Sequence, residues 1–124
     1  MIDFNNASFF KLKPTSNNAF IDYILPIFVN GESVISTYKG MRDGIVFTTH
    51  RIIAINVQGL TGKKKDFTSL PYSKIQSFSV ETAGTFDIDS ELILWFSGLG
   101  KVKLEFSDQA NVSQIAKIIS ARIL

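Results

Sequence analysis

Cysteine is absent from the 124 residues, and histidine occurs once. The first absence excludes a disulfide framework and a thiolate metal site, so stability has to come from packing, and a reducing compartment suits the chain. The second leaves no material for a histidine metal cage or a nucleophile, histidine and acid triad; His50 stands alone in a tight turn. With no convincing acid, base and nucleophile set, neither an enzyme nor a cofactor is expected. No apolar run approaches the ~20 residues that cross a bilayer, and the start Met1-Ile2-Asp3-Phe4-Asn5-Asn6 lacks the basic and apolar regions of a secretory signal. A cytoplasmic location follows as the expectation. Charge of one sign is scarce too: thirteen Lys and Arg against eleven Asp and Glu leave a net +2. Duplex binding grows with the number of phosphates neutralised, so so mild a balance argues against nucleic acid as a partner.

What the chain does have is apolar residues, 45% of the total, with eleven Phe against one Trp and three Tyr. That is enough for one real core and too little chain for two domains. Phenylalanine favours half-buried pleated surfaces, so the composition leans towards β-structure. Residues 1–14 show no sustained period and read as an N-terminal arm or an added edge strand, with residues 15–124 as the single domain. From Ser16, a candidate N-cap, Phe20, Tyr23, Ile24 and Ile27 recur at helical spacing, and Pro26 should end that short helix just ahead of itself.

From Val34 onward, short apolar runs are separated by turn residues every eight to twelve positions or so, the spacing of an all-β domain. Strands are expected at 34–39, 45–49, 52–57, 64–69, 75–81, 91–97 and 101–106. The last alternates cleanly, with Val102, Leu104 and Phe106 on one face and Lys101, Lys103 and Glu105 on the other. By contrast Ile52-Ile53-Ala54-Ile55 and Leu92-Ile93-Leu94-Trp95-Phe96 are apolar on both faces and need cover on both sides. A helix, the N-terminal arm or another copy of the chain would supply it, which makes Ile53, Ile93 and Trp95 candidate subunit-interface residues. Asp108 is a candidate N-cap for a terminal helix in which Val112, Ile115, Ala116, Ile119 and Ile123 follow the helical period.

Seven short strands and one closing helix follow the order of the pleckstrin-homology-like barrel, and particular residues sharpen that likeness. The segments Tyr38-Lys39-Gly40-Met41-Arg42-Asp43, Phe47-Thr48-Thr49-His50-Arg51, Gln58-Gly59-Leu60-Thr61-Gly62-Lys63-Lys64, Leu70-Pro71-Tyr72 and Phe78-Ser79-Val80-Glu81-Thr82-Ala83-Gly84-Thr85-Phe86-Asp87 resemble the bacterial PH domain family. The resemblance implies a mainly β fold, a PH-like barrel of about seven antiparallel strands closed by a C-terminal α-helix, with a short N-terminal helix. It also implies a ring-forming homo-oligomer without enzyme activity, in a family with no assigned molecular function.

Two clusters of charge carry chemistry to be weighed. Gly59-Leu60-Thr61-Gly62-Lys63-Lys64-Lys65 is not a P-loop, because its glycines are three apart and no Ser or Thr follows Lys63. It reads either as a solvated edge turn or as an anion-binding hairpin tip of Lys63, Lys64 and Lys65 with Lys39 and Arg42 nearby. The resemblance implies that specific phosphoinositide recognition would need basic residues on a longer loop between the first two strands and on the second strand; here that turn is short and Ile45-Val46-Phe47-Thr48 carries no charge, so such recognition is not expected. Asp87, Asp89 and Glu91 alternate, but the EF-hand glycine is missing and one extended segment cannot enclose a cation, so no metal site is expected. The resulting expectation is a self-assembling scaffold or protein-binding module. The alternative from another class is a peripheral membrane module that meets anionic lipid through the lysine-rich tip.

Overall fold

The computed structural model describes residues 1–5, 9–86 and 88–124. Along them run strands β1 (Phe9–Thr15), β2 (Val34–Lys39), β3 (Asp43–Thr48), β4 (Arg51–Gln58), β5 (Lys64–Pro71), β6 (Ile75–Glu81), β7 (Ser90–Phe96) and β8 (Gly100–Phe106), with helices α1 (Ile21–Ile24) and α2 (Val112–Ile123). The strands form one curled sheet in the order β5-β4-β3-β2-β1-β8-β7-β6, so β5 and β6 are its two unpaired edges and the barrel is not closed by strand pairing. Strands β2 to β5 make one antiparallel meander and β6 to β8 another.

The segment expected as an arm or edge strand is instead the seam between the two meanders. β1 pairs antiparallel with β2, placing Lys13 opposite Lys39, and parallel with β8, placing Phe9 opposite Leu104 and Leu12 opposite Phe106. Phe9 and Leu12 both face the core although they lie three residues apart, whereas a regular strand returns to one face every second residue. An irregularity in the ladder absorbs the extra residue, and Lys11 takes a left-handed φ of 55° within it. This is the reason no period was visible in that stretch.

The main core lies between the meanders. Phe47, Ile52, Ala54, Leu92, Leu94, Val102, Leu104 and Phe106 meet there, and Ile115, Ile118 and Ile119 of α2 close one side. β4 is apolar on both faces because it has two neighbours: Ile53 and Ile55, with Val46, belong to a second cluster under Ile24 of α1, flanked by Phe20, Ile21 and Phe28. Its outer cover thus comes from the same chain. Burying side chains of this size is worth about 1.5–3 kcal/mol each, enough to hold a helix of four residues that has no stability of its own.

Helix starts differ from the sequence expectation. Ser16 caps no helix; its hydroxyl accepts from Asn18 N–H at 3.2 Å and its carbonyl from Ala19 N–H at 3.0 Å, which makes a turn. α1 begins only at Ile21, and Pro26 sits inside the following 3-10 turn, Leu25–Ile27, near its start, where a missing N–H costs no hydrogen bond. α2 is capped by Asn111 rather than Asp108: the Asn111 side chain accepts from Gln114 N–H at 3.1 Å. Asp108 lies three residues earlier, in a turn closed by Ala110 N–H donating to the Ser107 carbonyl.

Candidate functional site

Strand register gathers the basic residues at one end of the first meander. Asp43 pairs with Asn56 and Gln58 with Lys64, so the β2–β3 turn and the β4–β5 loop lie side by side. They are tied there: Val57 N–H donates to the Arg42 carbonyl at 2.9 Å, and Arg42 Nη2 donates to the Gly59 carbonyl. Asn56 Nδ2 donates to Asp43 Oδ1 at 2.7 Å. Burial pushes the Asp43 carboxyl up, and the Asn56 hydrogen bond and the Arg42 charge offset only part of that.

Of the five anticipated anion-binding residues, Lys39, Arg42, Lys63 and Lys64 are exposed at this end. Lys65 is not with them. Alternation along β5 sends it to the opposite face, where its ammonium donates to the Gly62 carbonyl at 3.0 Å and lies 4.7 Å from the centre of the Tyr23 ring. The structure adds two cations that were not anticipated, Lys11 and Lys13, which β1 delivers beside Lys39. With Lys39, Gly40 and Met41 they line a surface depression of about 450 Å³. Only the pairing of β1 with β2 reveals them.

The candidate interface residues separate. Ile53 is fully buried beneath α1 and offers no surface to a neighbour. Ile93 and Trp95 share the outer face of β7, with Ile93 half-buried and Trp95 48% exposed. Lys103 stands opposite Ile93 and Lys101 opposite Trp95, and Ser79 and Ser77 flank them on β6. The Lys103 ammonium lies 3.3 Å from Glu91. Asp87 falls outside the described residues, and among the described ones no three His, Asp or Glu side chains lie close enough to hold a metal ion. Nor is any helix among them long and apolar enough to cross a membrane. His50 sits in the β3–β4 turn with Nδ1 2.8 Å from Thr49 Oγ1.

Arg51, quoted above in the motif Phe47 to Arg51, has a structural role. Its Nε and Nη2 engage the Glu32 carboxylate at 3.0 and 2.9 Å, Nη2 also reaches the Ile27 carbonyl at 2.6 Å, and Nη1 donates to Ser69 Oγ at 3.0 Å. Thr48 Oγ1 lies 2.7 Å from Glu32 Oε2, and Val29 N–H donates to Oε1 at 3.1 Å. This one guanidinium ties β4 to β5 and to the segment after α1. Four of its five N–H donors are engaged inside the protein, which marks it as a structural residue rather than part of the basic end.

A family model for the bacterial PH domain matches residues 3–123. A Bacillus subtilis (strain 168) protein, "Uncharacterized protein YjqA", is 44% identical over 108 residues, covering 86% of this chain and 86% of that protein. A crystal structure of a protein with a pleckstrin-homology domain from Shewanella loihica matches with a TM-score of 0.82 at 38% identity, covering 93% of this chain and 99% of the other. A pleckstrin homology domain from Shewanella amazonensis matches with a TM-score of 0.69 at 39% identity, covering 96% and 93%. These matches bear out the resemblance that the sequence motifs carried.

Proposed function

The chain belongs to the bacterial PH domain family, and on that premise we propose that it is a non-enzymatic binding module that assembles with copies of itself into a cyclic scaffold for other proteins. The observation that carries this reading is the outer face of β7, where Trp95 is 48% exposed beside Ile93 and no helix among the described residues covers it, while the corresponding face of β4 is sealed by α1. A large aromatic with an aliphatic neighbour, framed by Lys101, Lys103 and serines, has the make-up of an interface centre with a polar rim. Two unpaired sheet edges on one chain, β5 and β6, also favour contacts between unlike surfaces of neighbouring copies, which close into a ring when the rotation allows.

The test is solution mass by light scattering across a wide concentration range, on the native chain and on Trp95→Glu. A multiple of the 13.8 kDa chain mass that collapses towards a monomer in Trp95→Glu supports the reading. A native chain that stays monomeric throughout overturns it.

A further inference from the structure

The two free edges of the sheet are not alike. Against β5 lies Ile2, whose side chain is buried in the main core and whose N–H donates to Thr68 Oγ1 at 3.0 Å. Strand β6 pairs with β7 on one side and with no described strand on the other. An edge strand turns the N–H and C=O of every second residue away from its partner, and proteins ordinarily guard such a row with proline, lysine or a bulge. The β6 sequence, Ile75-Gln76-Ser77-Phe78-Ser79-Val80-Glu81, holds neither proline nor lysine, and its one ladder irregularity lies at the start, between Ile75 and Ser77. From Ser77 to Glu81 the ladder to β7 is regular.

Beside that regular stretch runs a groove of about 840 Å³, walled by Val80 and Thr82 on one side and by Ser113, Ala116 and Lys117 of α2 on the other. Alternation sends Phe78 and Val80 to the core side, where both are only half-buried, and sends Ser77, Ser79 and Glu81 to the outer face. The groove is therefore apolar at Val80 and Ala116 and polar at its hydroxyls. Among the described residues its one charged side chain is the exposed Lys117, and α2 carries no acidic residue in its first turn, so the helix dipole adds the same sign.

We propose that this edge takes up an extended segment of a partner protein as an added strand, with an apolar side chain of the segment seated between Val80 and Ala116 and a carboxylate meeting Lys117. A row of unpaired backbone donors and acceptors is matched by an extended chain and not by a helix, which satisfies its own backbone. The added strand also completes the cover over Phe78 and Val80. Positive charge in the groove selects an acidic segment over a basic one. The proposal rests on the binding-module part of the function proposed above and is independent of self-assembly.

The test is selection of a displayed library of random linear peptides on the full chain, followed by titration and amide hydrogen exchange with the enriched peptides. Enriched sequences should be acidic with apolar residues at alternate positions, and their binding should slow exchange between Ser77 and Glu81. Methylating the peptide amide nitrogens one at a time should cost affinity at every second position and little between, the period of a strand ladder. Lys117→Glu should weaken binding roughly fivefold, and Ala116→Arg, which fills the groove, roughly tenfold or more, each on a fold that circular dichroism shows intact. No enrichment, unchanged exchange in β6, uniform sensitivity to methylation, or native affinity in Ala116→Arg would each overturn the proposal. So would β6 amides that are protected in the peptide-free chain and released on dilution, which would assign the edge to a second copy. A chain that stays monomeric yet binds these peptides through β6 supports the proposal while removing self-assembly.

Discussion

The Glu32 carboxylate has no exposed side-chain surface and lies 2.9 Å from Arg51 Nη2, whose own side chain is 18% exposed. Removing one partner of such a pair strands the other, whereas removing both together strands neither. Arg51→Met is therefore expected to cost about 3–5 kcal/mol of unfolding free energy. Arg51→Met/Glu32→Leu should recover part of that loss, and a denaturant double-mutant cycle measures the recovery. Two single-variant costs that simply add would show that the pair is not coupled.

The same carboxylate sets an acid limit. Burial alone would raise the Glu32 pKa, but hydrogen bonds from Arg51, Thr48 and Val29 N–H and the Arg51 charge outweigh it and leave the group below its ordinary 4.5. A carboxyl depressed in the folded state contributes stability that is fully present above the unfolded value and is lost as pH falls through the folded one. Asp43 has the opposite sign: raised by burial, it favours the fold in its protonated form and loses that contribution as pH rises through its folded value. The melting temperature should hold from neutral pH to about 5 and decline below about 4. Glu32→Gln should start lower and fall less steeply over the acid range, and a thermal melt series across pH reads both.

Much of this architecture was legible where the period was regular. The alternation of Val102, Leu104 and Phe106 placed β8, and the doubly apolar run at Ile52 to Ile55 identified a strand buried on both sides. That run could not say what covers it, because the helical spacing of Phe20, Tyr23 and Ile24 marks a short helix without saying which strand it packs on. β1 escaped because its ladder irregularity breaks the two-residue period. Asp108 and Asn111 are both good caps in isolation, and the turn after Ser107 decides between them. The basic end was half legible: Lys63 and Lys64 announce themselves as a run, but Lys11 and Lys13 reach it through strand pairing, and Lys65 leaves it through pleating.

Gly44 shows how closely α1 approaches the sheet. A Cβ at this position of β3 would lie 2.5 Å from Phe20 Cζ and 2.6 Å from its Cε2, too close for either to stay in place. Gly44→Ala should push the Phe20 ring off β3, loosen the cover over Val46 and Ile53, and cost about 1–3 kcal/mol. Gly40→Ala is the control, since its Cβ would meet nothing nearer than the Phe10 carbonyl at 3.5 Å, and it should fall within about 0.5 kcal/mol of the native chain. Equal stability of the two variants in urea would show that the contact at Phe20 is slack.

Lys11 is the residue at which the backbone and the charge of the basic end can be separated. Its φ of 55° is the positive value among described non-glycine residues, and the left-handed conformation costs an L-residue about 1–2 kcal/mol that glycine does not incur. Glycine loses more freedom on folding, by about 0.5–1 kcal/mol, so Lys11→Gly should gain about 0.5–1 kcal/mol. Lys11→Val keeps the left-handed requirement and adds β-branching, so it should lose stability instead. The same Lys11→Gly chain carries one cation fewer beside Lys13 and Lys39. Removing that charge relieves part of the repulsion among them, so the gain in melting temperature should shrink somewhat as salt rises while the backbone part of it persists. A gain of the same size at every salt concentration would show that backbone freedom alone accounts for it.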